Sequence, residues 1–278
     1  MNDRREVARI VVNMTVACAV GAAVLGGIYL ATDRYHRAAQ LRGDRAAIVE
    51  LLGLGPGANM TEVRQYLARD ARTVVYDARP FGGAEGPARR MVFSLDGRLV
   101  SQGAAPRAPG DGREGMLPLG RIFVARQGGA PAGFVVEGSA RGYKNRIRFL
   151  IGLSRSFEIA GVRVVEHEED PGLGAEVATP WFTGQFVARA AADLPALSVT
   201  RDPMPEDWRS ALASLARTPM GPWRARASAL ITRERSRPIY AVTGATISSR
   251  ALTDGVRTTV DHFRRRWGLL EPLMGGAS

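Results

Sequence analysis

Hydrophobic positions change their period along the chain, and the changes mark its parts. Residues Ile10 to Ala31 carry no charged side chain and few strongly polar ones, chiefly Asn13 and Thr15. At ~1.5 Å rise per residue such a helix covers the ~30 Å hydrocarbon layer of a bilayer. Arg4, Arg5 and Arg9 precede the run, and Tyr29 sits where an interfacial aromatic would. The run is longer than a signal-peptide core and Ala31-Thr32-Asp33 is a poor cleavage site, so a retained transmembrane anchor is expected. Arg34, Arg37, Arg42 and Arg45 follow it, so charge bias alone leaves its orientation open.

From Arg45 to Arg69 the period is helical. Ile48, Val49, Leu51 and Leu52 share a face before a break at Gly53 to Gly57, and Asn59 or Thr61 would cap a second helix carrying Val63, Tyr66 and Leu67. Strand-like runs follow at Thr73 to Tyr76, Met91 to Phe93 and, after an Asp96-Gly97 hairpin signal, Leu99-Val100. Gly103 to Gly120 is rich in Pro and Gly and reads as a loop. Strands resume at Arg121 to Ala125 and Gly133 to Glu137, joined by Gly128-Gly129, then at Arg146 to Leu153 and Phe157 to Val165. Short neighbouring strands with tight turns predict an α+β fold, a mainly antiparallel sheet flanked by helices.

Trp181, Phe182 and Phe186 read as core aromatics. Two helical patches, Glu206 to Ala216 and Arg224 to Arg233, are separated by Pro219, Gly221 and Pro222 and read as a surface insertion without an evident role. The last helix is the clearest. From Ser249, the residues Leu252, Val256, Val260, Phe263 and Trp267 recur at three- and four-residue steps and form one apolar stripe.

The net charge of +11 and pI near 10.9 admit an anionic partner. No zinc-finger, RNP-like or helix-turn-helix pattern accompanies them, and the arginines are spread along the chain, so nucleic-acid binding is not expected. Lys144 is the single lysine. One cysteine, Cys18, excludes an intramolecular disulfide and a Cys-held zinc or iron–sulfur site, and His36, His167 and His262 lie too far apart for a local metal motif.

Two stretches carry candidate chemistry. Glu166-His167-Glu168-Glu169-Asp170-Pro171-Gly172-Leu173-Gly174 leaves a strand, and Pro-Gly-Leu-Gly permits a tight turn that a flat ligand could approach closely. Its acidic residues read as a solvated turn, and His167 lacks a paired nucleophile. Ala241 to Arg250 crowds hydroxyls and a glycine at a helix start, where unpaired N–H groups and the dipole can seat a phosphate. The same residues also make an ordinary Ser/Thr cap.

An uncharged N-terminal run, His-Glu-x-x-Pro-Gly-Leu-Gly after a strand, Trp-Phe-x-x-x-Phe, and a late Thr-Gly-Ala-Thr-x-Ser-Ser occur here in one order. That order resembles the FMN-binding-domain family, most closely the G subunits of Rnf electron-transport complexes, with the C subunits of sodium-translocating NADH:quinone reductases next. The resemblance covers the anchor and roughly residues 120 to 267. It implies FMN held by a phosphoester to the hydroxyl of Thr246 and installed from FAD by a separate flavin transferase. Thr243, Gly244, Ala245, Ser248 and Ser249 would form the attachment turn, and Glu168, Pro171, Gly172, Leu173 and Gly174 would pack beside the isoalloxazine.

The implied organisation is a cytoplasmic tail (1–9), the anchor (10–31), a linker with a helical and strand region (32–120), an FMN-binding domain (121–267) with an insertion at about 200–236, and a tail (268–278). The implied role is electron relay among other membrane subunits of an Rnf-like complex, without a substrate site of its own. The chain would be single-pass in the bacterial inner membrane with its soluble domain periplasmic. A stand-alone anchored extracytoplasmic flavoprotein and a non-flavinylated assembly or binding module are the alternatives. Two residues depart from the family pattern. Asp170 replaces a threonine, adding a carboxylate expected to lower the flavin potential, and Tyr240 stands where the family has an aspartate.

Overall fold

The computed structural model describes residues 2–55, 58–69, 72–81, 86–105, 115–127 and 130–274, and within the first helix the side chains of 13–29, 32 and 43 onward. The charged flanks expected at Arg4, Arg5, Arg9, Arg34, Arg37 and Arg42, the Gly128-Gly129 turn and the loop residues 106–114 lie outside these. Two compact units are present, 1–46 and 47–278.

Helix α1 (Asn2–Leu52) runs through the first unit. Its residues 13–29 are all exposed, among them Val16, Val20, Val24, Leu25 and Ile28. No helix among the described residues is long and apolar enough to cross a membrane.

The second unit is built on one eight-stranded antiparallel sheet in the order β4-β3-β2-β1-β5-β6-β7-β8. The strands are β1 (Asn59–Ala68), β2 (Thr73–Phe81), β3 (Arg89–Ser94), β4 (Leu99–Ala104), β5 (Met116–Gln127), β6 (Ala130–Arg141), β7 (Arg146–Ser154) and β8 (Ile159–Glu166). After them come α2 (Pro180–Thr183), β9 (Val199–Thr200), α3 (Glu206–Leu215), α4 (Met220–Arg226), α5 (Ser228–Glu234), β10 (Ile239–Tyr240) and α6 (Thr246–Met274). The expected mainly antiparallel sheet with flanking helices is present.

Two expectations are corrected. Asn59 to Leu67 is a central strand rather than a helix, paired on both sides by β2 and β5. Its helical look comes from Met, Glu, Arg, Gln and Leu, which are good helix formers, while a buried charge masks the strand alternation. Glu62 is 5% exposed, with Arg64 at 3.1 Å and Arg121 at 3.8 Å. The stretch read as a loop to Gly120 is strand from Met116, where Leu117 and Leu119 remain exposed.

Side chains alternate between the faces of a sheet, and here both faces are used. One carries the main core, where Ile122, Val124, Phe134, Phe149 and Ile151 meet Leu252, Val256, Val260, Phe263 and Trp267 of α6. The predicted stripe is therefore buried whole. The other packs Met60, Phe81, Phe123, Val135 and Leu150 against Ala47, Ile48 and Leu51 of α1. Beyond that cluster the same face becomes a ladder of charges, Arg90–Asp77 at 2.7 Å, Arg121–Glu137 at 2.9 Å and Arg148–Glu137 at 2.6 Å. Burial raises the Glu137 carboxyl, but the two guanidinium groups outweigh it and hold it below its ordinary value.

The segment read as an insertion has a small core of its own, in which Trp208, Leu212, Trp223 and Ile231 pack with Val187 and Tyr240. Arg189, 4% exposed, ties it down. Its Nε donates to the Gln185 carbonyl (2.8 Å), Nη1 to the Arg235 and Arg237 carbonyls (2.7 and 2.8 Å), and Nη2 to that of Glu234 (3.3 Å). Burial pulls its guanidinium down to about 10, against the attraction of Glu234, so it stays charged at neutral pH. Arg189→Met should therefore destabilise the protein by about 3 kcal/mol, since several buried acceptors lose a charged donor. Urea unfolding followed by tryptophan emission checks this, and a loss under ~1 kcal/mol would contradict the clamp.

Candidate functional site

The turn between β10 and α6 is held by its own hydroxyls. Ser249 Oγ donates to the Ala245 carbonyl (2.9 Å) and accepts from the Val242 amide (3.0 Å), while the Ala245 amide donates to the Val242 carbonyl (3.0 Å). Gly244 sits at φ +79°, a region that favours glycine. The helix begins at Thr246, and the Ser249 amide, bonded to the Ala245 carbonyl at 3.0 Å, makes the i to i−4 bond reaching back into the turn. The amides of Thr246, Ile247 and Ser248 belong to the unpaired first turn of an α-helix. Thr243 and Gly244 are exposed, Thr246 half-buried, and Ala245, Ser248 and Ser249 buried.

The strand leading in is positioned by Gln185. Its Oε1 accepts from the Tyr240 amide (2.8 Å) and its Nε2 donates to the Tyr240 carbonyl (3.2 Å). Tyr240 itself is buried and its hydroxyl donates to Glu234 Oε2 at 3.2 Å. Burial is the first cause that pushes its phenol above the ordinary value. Where the family pattern has an aspartate, this chain therefore has a phenol bonded to Glu234 of α5.

The second candidate stretch meets the first through Glu169. Read from the sequence as part of a solvated acidic turn, Glu169 is 5% exposed. Its carboxylate accepts from the backbone amides of Lys144 (3.0 Å), Tyr143 (3.2 Å) and Asn145 (3.5 Å), and from Ser248 Oγ. Two glycines make room for it. A Cβ on Gly142 would lie 2.3 Å from Oε1, and one on Gly174 would lie 2.5 Å from Oε2. Burial raises the Glu169 carboxyl, but the Ser248 and backbone hydrogen bonds together hold it below its ordinary value. One carboxylate thus joins the β6–β7 hairpin, the Pro-Gly-Leu-Gly loop and the start of α6.

Glu168 stays at the surface and accepts from Asn145 Nδ2 at 2.7 Å. Asp170 pairs with the ammonium of Lys144, whose pKa that partner raises. Pro171 and Gly172 are exposed, with Gly172 at φ +73° and open space about it, and Gly174 is buried. Leu173 lies over Gly244, where a Cβ would come within 3.0 Å of its Cδ2. Leu173, Ile247 and Tyr143 are 47%, 58% and 66% exposed. Around Thr246 the structure therefore gathers a half-exposed hydroxyl, first-turn amides and exposed apolar surface. A half-exposed hydroxyl and such a surface suit a phosphate-tethered flat ring.

Most of the sequence candidates converge here, with two changes of role. The hydroxyls of Ser248 and Ser249 point into the protein's own bonds, so they hold the turn and do not offer themselves to a phosphate. The hairpin residues Tyr143 to Asn145 are not marked out by the sequence, where the only signal for them is Gly142 between two strand-like runs. Among the described residues no three His, Cys, Asp or Glu side chains form a metal cage. A groove of about 460 Å³ beside α6, lined by Gln65, Glu137, Asp254, His262 and Arg266, does not include Thr246.

Residues 142–261 match the family model described as FMN-binding domain. The G subunit of an ion-translocating oxidoreductase complex of Methanosarcina acetivorans is 26% identical over 96% of this chain and 100% of its own length. The G subunit of a proton-translocating ferredoxin:NAD(+) oxidoreductase complex of Clostridium ljungdahlii is 27% identical over 50% of this chain and 57% of its own. The corresponding G subunit of Pectobacterium atrosepticum reaches 42%, over 23% and 32%. The chain thus spans the full length of the first of these and little more than half, or less, of the others. The crystal structure of NqrC from Shewanella oneidensis shares the fold, with a TM-score of 0.50 and 13% identity over 84% of this chain and 99% of that one. The chain is therefore similar to the FMN-binding-domain family and to G subunits of ion-translocating oxidoreductases, and FMN is the cofactor that this similarity supports.

Proposed function

We propose that this chain is an electron-carrying subunit of a membrane-bound, ion-translocating oxidoreductase of the Rnf kind, holding FMN by a phosphoester on Thr246. The observation that carries the reading is a coincidence of place. The span matched to FMN-binding domains contains a turn where a half-exposed threonine opens the longest helix of that span, beside Gly244 and the Pro-Gly-Leu-Gly loop. Bound FMN supplies reversible electron transfer, and the protein supplies position and electrostatics. Thr246 offers the linking oxygen, Ser249 and Gly244 shape the turn, and Ser248 with Glu169 fixes the loop of Pro171 to Gly174 next to it. Thr243 and Ala245 complete the attachment turn, with Glu168 at the loop's surface edge. A separate flavin transferase would join Thr246 Oγ1 to the FMN phosphorus of FAD with release of AMP.

Residues 121–267 form the FMN-binding domain in this reading, and 10–31 an anchor in the bacterial inner membrane with the domain on the periplasmic side. Supporting the anchor are the uncharged run and the exposure of its residues 13–29. The partners are other membrane subunits of the complex, and the chain binds no substrate of its own. The test is extraction from native membranes followed by denaturing electrophoresis under ultraviolet light. A fluorescent band at this chain's mass, recovered with multi-span subunits, is the expected result. A dark band removes the covalent flavin, and recovery without such subunits removes the complex.

A further inference from the structure

We propose that Arg250 is the positioning residue for the phosphate of the Thr246-linked FMN, supplying the cation that the first turn of α6 otherwise lacks. The inference rests on the Thr246 reading above. Residues four apart on a helix are neighbours, with Cβ atoms about 5–6 Å apart. Helical side chains lean toward the N-terminus, so the arm of Arg250 is long enough to reach the turn that holds Thr246.

Glu168, Glu169 and Asp170 bring three carboxylates to the facing loop. The one lysine there, Lys144, is already paired with Asp170. Farther along α6, Arg257 is paired with Asp254 at 3.0 Å and Arg265 with Asp261 at 2.9 Å. Arg250 is exposed and its side chain makes no ion pair or hydrogen bond among the described residues. A phosphodiester keeps one negative charge, and the exposed Glu168 lies on the facing loop while Asp170 already holds Lys144. A guanidinium offers it two parallel N–H donors, which an ammonium cannot. First-turn amides and Arg250 would then hold the phosphate from two sides, restraining the flavin that hangs from it.

The experiment compares the full chain with Arg250→Gln, Arg250→Lys and Arg257→Gln, each produced with the native transferase. Two readouts are taken, the phosphorus-31 resonance of the linkage and the fluorescence anisotropy decay of the flavin. The expected result is a displaced resonance and a faster local flavin rotation in R250Q, partial return in R250K, and wild-type behaviour in R257Q. Failure to flavinylate in R250Q alone, with R250K and R257Q labelled, supports the same assignment, because the cation then receives the incoming phosphate. Identical resonance and anisotropy in R250Q and wild type overturn it while leaving Thr246 in place. Equal changes in R250Q and R257Q also overturn it, as a general charge effect. Wild-type protein without covalent flavin overturns this inference together with the proposed function.

Discussion

Glu169→Ala is expected to lower stability by about 3 kcal/mol and to sharply reduce the yield of covalent flavin. The carboxylate is enclosed by Gly142 and Gly174 and accepts from three backbone amides and Ser248. A hydrogen bond to a charged group contributes about 1.5–3 kcal/mol net, and donors left buried without an acceptor add to the loss. Desolvation of the carboxylate offsets part of this, which keeps the expected net near ~3 kcal/mol. Glu169→Gln retains the shape and one acceptor but turns an NH2 group toward donors, so it should fall between. The sign of the pH dependence follows from the depressed carboxyl. Its contribution is full above the unfolded value of about 4.3 and disappears as pH falls through the lower folded value. Urea midpoints for wild type and E169Q should therefore converge in acid. A constant gap down to the acid transition, or a neutral-pH loss under ~1 kcal/mol, would refute the role of this carboxylate.

What can be read from the chain alone divides along a physical line. The stripe of α6 and the strands from Arg121 to Val165 are legible because local period and eventual burial agree there: Leu252, Val256 and Val260 are 0% exposed. Strand β1 is not, because half its alternation is written in charges. Glu62 is paired by Arg64 on its own strand and by Arg121, which a strand nearly sixty positions later supplies, and no local window contains that second partner. Glu169 is hidden for the same reason. Three consecutive acidic residues read as solvated until a hairpin 24 to 26 residues earlier supplies the amides that bury the middle one. In the segment read as an insertion, α3 is legible, but the patch at Arg224 to Arg233 is two helices divided at Ala227, and the attachment by Arg189 is not legible, since a buried arginine looks like any other in a chain with so many. At the site, the order of motifs singles out Thr246 as the proposed attachment point, while the division of labour among the hydroxyls requires their bonds. Ser248 and Ser249 are buried and bonded within the protein, whereas Thr243 is exposed and Thr246 half-buried.

That division sets the second large expectation, which is all-or-none. Thr246→Ala should abolish the fluorescent band under denaturing conditions while leaving the fold intact. Thr246 Oγ1 has no hydrogen bond among the described residues, so removing it breaks nothing in the native structure. A substitution at a half-exposed first-turn position should change stability by under ~1 kcal/mol. Loss of label with retained stability then separates attachment from folding, which E169A cannot do. Thr246→Ser keeps the oxygen and drops only the methyl group, so covalent flavin should persist at reduced yield. Thr243 provides the internal control. Its hydroxyl is exposed in the same turn, but it precedes Gly244 and lies outside the helix, away from the first-turn amides that can receive a phosphate. Thr243→Ala should therefore remain fluorescent. Intact-mass spectrometry of the three variants decides the matter, and an FMN-sized increment persisting in T246A, or lost in T243A alone, would move the attachment point from the helix to the turn before it.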